Sequence, residues 1–208
     1  METHDLTRLI AFGDSWTAGH GVETEKEYKE NPTPPKFIEK LREQNSFPKW
    51  LGNLLNISYI NLGVCGFGNE YIYNSVKENL KFINKDDLII IVFSYPHRYK
   101  KHNKYTPEEL FKKFETILDG YKKFYFNGFY PFIENADFNF PNYYINPKGT
   151  LSYQLQFEEM VNKKDVWEYG SKMVWNDEEN YYEGDYHPNL QGYKLIGEYM
   201  YKQIKNKI

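Results

Sequence analysis

The feature that most constrains this chain is the run Leu-Ile-Ile-Ile-Val-Phe at residues 88–93. Strands buried on both faces of a parallel sheet read as continuous apolar runs, whereas half-exposed strands alternate apolar and polar residues. The run therefore predicts a central strand. Shorter runs at residues 9–12 and 58–62 also have strand character, and segments with helical spacing separate them. This alternation predicts an α/β fold, a three-layer α/β/α sandwich around a mostly parallel sheet.

Helical spacing predicts further elements along the chain. Trp50, Leu51, Leu54 and Leu55 follow Ser46 and predict a helix that ends near residue 56, and a second helix covers residues 71–83. Thr106 and Pro107 start a third, expected to run to about residue 125. We also expect a helix at 151–161, strands near 128–133 and 172–175, and a last helix from Asn189. We expect a single domain over residues 1–208. It contains an insertion at about 22–46, with a helical turn around residues 37–41, and an aromatic-rich segment at about 126–146.

Polar or glycine-rich turns follow each predicted strand. The first strand breaks at Gly13-Asp14-Ser15, the second at a turn with three glycines between residues 63 and 68, and the third at Ser94. The carboxyl ends of parallel strands meet at one edge, which is where open α/β sheets bind ligands. Ser15 is then presented at that edge. The glycine turn exposes main-chain amides that suit an anion or an oxyanion.

A second candidate stretch lies near the other end of the chain. A serine hydroxyl is a weak nucleophile unless a base takes its proton and a third group orients that base. Asp185 and His187 are two residues apart, so in extended chain their side chains share a face. Together with Ser15 they form a candidate catalytic triad.

Composition indicates which classes of partner and which cell compartment the chain fits. The 26 basic and 29 acidic residues give a net charge of −3, which does not suggest nucleic acid as a partner. No apolar stretch approaches the ~20 residues of a membrane span, and the first residues lack a signal peptide. The lone cysteine, Cys65, excludes an internal disulfide and fits a reducing compartment. We expect a cytoplasmic or virion-associated protein.

These residues resemble the conserved blocks of the SGNH (GDSL-type) hydrolases. Phe12-Gly13-Asp14-Ser15 is similar to the family's first block, Asn61 to Gly66 to its second, and Asp185 to Asn189 with Gly192 to its last. The resemblance implies a flavodoxin-like sandwich and hydrolysis of carboxylic esters, often acyl groups on sugars or lipids, without metal or cofactor. It implies that Ser15 attacks, that His187 is base and then acid, that Asp185 orients it, and that the amides of Ser15 and Gly66 bind the oxyanion.

Two departures from the family pattern leave alternatives open. The third block usually carries an asparagine that donates to the oxyanion, but this chain reads Ser94-Tyr95-Pro96-His97-Arg98. Asn69 is the candidate replacement, with a helix cap as its other interpretation, and His97 and Arg98 are candidate substrate-binding residues. In the family the aspartate and histidine more commonly stand three apart, so Glu183 and Asp177 remain possible partners for His187.

The leading hypothesis is a serine esterase that acts on O-acetyl or short acyl esters of a carbohydrate or similar small molecule. One alternative is an inactive glycan-binding or structural protein that keeps the fold, suggested by the missing asparagine. Another is an O-acyltransferase with the same triad. The remaining histidines have no ligand spacing, so no metal site is expected, and the sequence does not predict an oligomeric state.

Overall fold

The computed structural model describes residues 6–20, 22, 36–94, 104–127, 174–176, 181–183, 188 and 190–208. For residues 36–38, 174–176 and 181–183 the description covers the secondary structure and not the side chains. Within these ranges the strands are β1 (Arg8–Gly13), β2 (Ser58–Gly63), β3 (Leu88–Phe93), β4 (Lys122–Asn127), β5 (Val174–Asn176) and β6 (Tyr181–Glu183). The helices are α1 (Ser15–Ala18), α2 (Lys36–Asn45), α3 (Phe47–Leu55), α4 (Asn69–Asn79), α5 (Pro107–Ile117) and α6 (Leu190–Ile204), and a 3₁₀ turn covers Leu80–Phe82.

The described strands β1 to β4 form a parallel sheet in the order β2-β1-β3-β4. The register pairs Gly13 with Gly63, Phe12 with Ile91, and Phe93 with Asn127. The carboxyl ends of all four strands therefore lie at the same edge, as the sequence predicts. β5 and β6 pair with each other as a separate antiparallel ribbon.

Helices cover both faces of the parallel sheet and give the predicted three layers. β3 is fully buried because its side chains point alternately into two apolar clusters, one on each face. On one face the sheet packs against α3 and α6, through Phe47, Leu51, Tyr193, Ile196 and Met200. On the other it packs against α4 and α5, through Ile72, Val76, Leu110, Phe111 and Phe114.

Most predicted elements are confirmed to within a few residues. The run at 88–93 is β3, the segment after Ser46 is α3, and the last helix starts at Leu190. The helical turn expected around residues 37–41 belongs to the longer helix α2. The helix expected at 151–161 lies outside the described residues.

The prediction of a helix from 106 to about 125 is wrong in its second half. α5 starts at Pro107 as predicted. Thr106 is the N-cap, and the side chains of Thr106 and Glu109 bond each other's main chain in a capping box. It ends at Ile117, and Gly120 then takes a left-handed conformation with φ of 72°. That turn leads into β4, so the fourth strand precedes the expected 128–133, which the structure does not describe. The strand expected at 172–175 overlaps β5, which is not paired with the parallel sheet.

Among the described residues, no helix combines the length and the apolar character needed to cross a bilayer.

Candidate active site

Ser15 lies at the point where β1 turns into the one-turn helix α1. Ser15 is buried, with 5% of the residue's surface exposed. Asp14 is the N-cap of α1, and its carboxylate accepts a hydrogen bond from the Trp16 amide at 3.0 Å. The Ser15 carbonyl accepts from the amides of Gly19 at 3.1 Å and His20 at 3.0 Å. The main chain on both sides of the serine is therefore fixed by local bonds.

Two glycines allow the Ser15 turn to lie directly against the strand ends. A Cβ on Gly13 would come within 2.9 Å of the Thr17 Cβ, and one on Gly63 would lie 2.6 Å from the Thr17 carbonyl carbon. Real Cβ atoms do not approach so closely, so a side chain at either position would push α1 away from the sheet. The glycines of the two sequence motifs thus set the position of the serine.

The side chain of Asn61 joins β2 to this turn. Its Nδ2 donates to the carbonyl of Thr17 at 2.7 Å and to the Ser46 hydroxyl at 2.9 Å, while its Oδ1 accepts from the Gly63 amide at 2.9 Å. These bonds use both amide hydrogens and the oxygen. Asn61 therefore links α1, α3 and the end of β2.

Tyr193 connects the last helix to the same turn. It lies near the start of α6, is fully buried, and its hydroxyl donates to the carbonyl of His20 at 2.7 Å, with the Ser15 carbonyl at 3.4 Å. α6 begins three residues after His187, and Pro188 between them is buried. The start of the last helix is thus bonded directly to the turn that carries Ser15.

Asn69 is buried at the start of α4, where it bonds the end of β3. Its Nδ2 donates to the carbonyl of Ser94 at 3.0 Å, and its Oδ1 accepts from the Ser94 amide at 2.8 Å. The N-cap of α4 is Gly68, so the interpretation of Asn69 as a helix cap is wrong. An amide nitrogen carries two hydrogens, and the bond to Ser94 uses one of them.

Gly66 lies in the loop between β2 and α4. It is exposed, its φ is 83°, and a Cβ there would meet no atom within 4 Å. Its glycine identity is explained by backbone conformation rather than by packing, since non-glycine residues rarely adopt a positive φ.

A cavity of about 410 Å³ lies behind the serine turn, between α2 and the end of β2. Its lining includes Ala18, Arg42, Asn61 and Cys65, but not Ser15. The Cys65 sulfur lies 3.8 Å from Nδ1 of His20 and 4.0 Å from a guanidinium nitrogen of Arg42. Cys65 therefore contacts the end of the serine turn at His20.

The structure brings Ser15, Gly66 and Asn69 to the carboxyl edge of the sheet: Ser15 and Gly66 follow the ends of β1 and β2, and Asn69, at the start of α4, bonds Ser94 after β3. Asp185, His187, His97, Arg98 and Asp177 lie outside the described residues, so their sites stay predictions. Glu183 is the last residue of β6, and its side chain is not described. Among the described residues, no group of three or more histidine, cysteine or acidic side chains could hold a metal ion.

An ion pair lies at the opposite edge of the sheet, where Arg8 contacts the buried Asp87 at 2.9 Å. Burial alone would raise the pKa of Asp87, but hydrogen bonds from Arg8, Thr7 and the Asn84 amide lower the pKa below its ordinary value. The Thr7 hydroxyl is 2.6 Å and the Arg8 Nε 3.0 Å from the same carboxylate oxygen. This cluster stabilises the amino ends of β1 and β3 and has no contact with Ser15.

Sequence reasoning missed the positioning roles of Asn61 and the Tyr193 hydroxyl. In the sequence, Asn61 is visible only as part of a motif, and Tyr193 only as one residue of the predicted last helix. A tyrosine on a buried helix face is a detectable signal, because its hydroxyl needs a hydrogen-bond partner.

No protein-family model matches the chain, and no curated protein is significantly similar to it in sequence. Solved structures are similar in fold. A family 3 carbohydrate esterase from Clostridium thermocellum superposes with a TM-score of 0.55 at 14% identity, covering 96% of this chain and 96% of that one. A member of the lipolytic protein G-D-S-L family from Veillonella parvula gives a TM-score of 0.53 at 13% identity, covering 97% of this chain and 100% of that one.

Two further neighbours are catalytic mutants of an acetylxylan esterase from Geobacillus stearothermophilus. In one a histidine and in the other an aspartate is replaced by alanine. Their TM-scores are 0.51 and 0.52 at 12% and 13% identity, and each comparison covers 98% of this chain and 96% of the other. At these identities the likeness concerns the fold.

Proposed function

Since the chain has the fold of the SGNH (GDSL-type) hydrolases, we propose that it is a serine hydrolase that cleaves carboxylic esters, with O-acetyl or short acyl esters of a carbohydrate as substrates. The observation that carries the proposal is the bonding of Tyr193 to the turn of Ser15. A strand-end serine is thereby joined to the helix that follows Asp185 and His187, the two candidates for the rest of a triad.

In the proposed mechanism, Ser15 Oγ attacks the ester carbonyl carbon and its proton passes to His187. The amides of Ser15 and Gly66 and the second Nδ2 hydrogen of Asn69 donate to the oxyanion. When the tetrahedral intermediate collapses, the carbon–oxygen bond to the alcohol breaks and the alcohol leaves with the proton from His187. Water then attacks the acyl-serine by the same route and releases the carboxylic acid.

Asp185 is proposed as the group that orients His187 and stabilises its charged form. The catalytic mutants of the acetylxylan esterase replace an aspartate and a histidine three positions apart, against two in this chain. That neighbour supports an aspartate in this role, and Asp185 is the aspartate nearest to His187 in sequence.

Labelling with a fluorophosphonate probe tests the proposal directly. We expect one adduct, found on Ser15 by mass spectrometry, and turnover of a chromogenic acetyl ester that falls about 10⁴-fold or more in Ser15→Ala. Ser58→Ala, at the exposed first residue of β2, is the control and should keep both properties. Equal turnover by wild type and Ser15→Ala would contradict the proposal, and acylated acceptor sugars among the products would indicate transfer instead.

A further inference from the structure

An exposed pair of aromatic rings flanks the loop between β2 and α4. Phe67 and Tyr71 stack with ring centroids 3.9 Å apart and planes inclined by 25°. They are 40% and 41% exposed. Among the described residues this is the one stacked pair in which both rings stay exposed, whereas Phe93 and Tyr125, for example, stack inside the core.

The position of this pair connects it with the proposed chemistry. Phe67 directly follows Gly66, and Tyr71 comes two residues after Asn69, so both proposed oxyanion donors are sequence neighbours of the rings. The rings are therefore carried by the same loop and helix start as the proposed donors.

The main chain beneath the rings is fixed. The amides of Tyr71 and Ile72 donate to the Gly68 carbonyl at 3.1 and 3.2 Å, and Ile72 is buried in the core. The carboxylate of Glu70 accepts from the amide of Tyr105 at 2.9 Å, which holds the start of α4 to the segment before α5. A surface fixed in this way loses little conformational entropy when a ligand binds.

We propose that Phe67 and Tyr71 form a stacking platform for a sugar ring in the alcohol part of the substrate, which makes the substrate an acylated pyranose. This inference rests on the proposed function. Because the two rings stack on each other, a ligand can stack only on the outer face of one of them, which covers one face of the ligand and leaves its edges in water. A pyranose has an apolar face and polar edges, whereas an acyl chain gains most when it is enclosed on all sides.

The test compares two esters, a mono-O-acetylated methyl pyranoside and glycerol triacetate, which lacks a ring. The quantity compared is kcat/KM for the pyranoside divided by kcat/KM for glycerol triacetate. We expect Phe67→Ala to lower this ratio about fivefold to tenfold by raising KM for the pyranoside. Phe67→Tyr, which keeps an aromatic ring, should leave the ratio unchanged. Phe82→Ala is the matched control, since Phe82 is 64% exposed in the 3₁₀ turn before the amino end of β3. An unchanged ratio in Phe67→Ala would overturn the inference, as would an equal loss for both esters with a lowered melting temperature.

A binding measurement separates this inference from the proposed hydrolysis. Ser15→Ala is titrated with the acetylated pyranoside and followed by NMR, with and without Phe67→Ala. We expect Phe67→Ala to raise Kd about fivefold or more. Equal Kd values with and without Phe67→Ala would refute the platform even if the wild type hydrolyses esters. A raised Kd would support the platform even if the wild type hydrolyses neither of the two test esters.

Discussion

Asn69 and Ser94 exchange two hydrogen bonds, side-chain amide to main-chain carbonyl and main-chain amide to side-chain oxygen, at 3.0 and 2.8 Å. The pair joins the start of α4 to the end of β3, two elements on either side of the candidate site. Both residues are buried, with Asn69 7% and Ser94 1% exposed. One side chain therefore serves as a structural bridge and, in the proposed mechanism, as an oxyanion donor.

Asn69→Ala separates these two roles. It leaves the buried main-chain groups of Ser94 without the side chain that bonds them, so we expect a loss of about 1 to 3 kcal/mol in the free energy of unfolding, measured with urea. If Asn69 also donates to the oxyanion, kcat falls about 100- to 1,000-fold under conditions where the variant is fully folded. A normal kcat in the folded variant would leave only the structural role. Asn74→Ala, at an exposed position of α4, is the control.

Tyr193→Phe removes one hydroxyl and keeps the ring in the core. We expect about 1 kcal/mol of lost stability, because the carbonyl of His20 loses its 2.7 Å donor. We also expect a lower kcat with little change in KM, since a looser turn misplaces Ser15. Tyr201→Phe, at a half-buried position of the same helix, should leave both quantities unchanged. A wild-type kcat in Tyr193→Phe would argue against a link between α6 and the serine turn.

Gly63→Ala tests the close approach of α1 to the strand ends. The added Cβ would lie 2.6 Å from main-chain carbon of Thr17, which cannot rotate away. We expect a destabilisation of about 1 to 3 kcal/mol and a loss of esterase activity larger than the unfolded fraction explains. Circular dichroism on heating and steady-state kinetics measure the two effects. An unchanged melting temperature would show that the turn has room to move.

The Asp87 cluster predicts acid sensitivity that is independent of catalysis. The pKa of Asp87 is lower in the folded protein than its ordinary value of about 3.9. Its ionised form therefore stabilises the fold fully above the ordinary value, and this contribution is lost as the pH falls through the lowered pKa. Asp87→Asn should reduce stability at pH 7 by about 1 to 2 kcal/mol, because the buried carboxylate is replaced by a neutral amide that bonds Arg8 and Thr7 more weakly.

The same variant should flatten the decline of unfolding free energy as the pH falls below the ordinary carboxylate pKa of about 3.9. Urea unfolding at a series of pH values measures this slope. Asp86→Asn, at the exposed neighbour, is the control. A slope in Asp87→Asn as steep as that of the wild type would mean that other carboxylates cause the acid sensitivity.

The strand ends could be predicted because a strand buried on both faces is a continuous apolar run, and the run stops where the strand ends. β1 and β3 are continuous apolar runs that stop at small or polar residues, and Ser15 follows from that pattern together with the parallel arrangement. The order of the strands across the sheet and the exact register needed the structure, since apolar runs carry no information about which strand is the neighbour.

The boundary between α5 and β4 shows where local patterns fail. Phe114, Leu118 and Tyr125 look like one continuing helix face, yet the chain turns at Gly120 and the last aromatic belongs to a strand. The two-way bond of Asn69 with Ser94 was equally unpredictable, because it depends on a contact between residues 25 positions apart. An asparagine near a helix start suggests a cap from local sequence alone.

The bond from Tyr193 to the carbonyl of His20 spans 173 positions of sequence. During synthesis the amino-terminal strand emerges long before α6, so this bond can form only once α6 has left the ribosome. Nascent chains that stop before α6 would hold the Ser15 turn by its local bonds and without the bond from Tyr193. In the proposed mechanism, the last helix, made after Asp185 and His187, is therefore the final part of the site to be assembled.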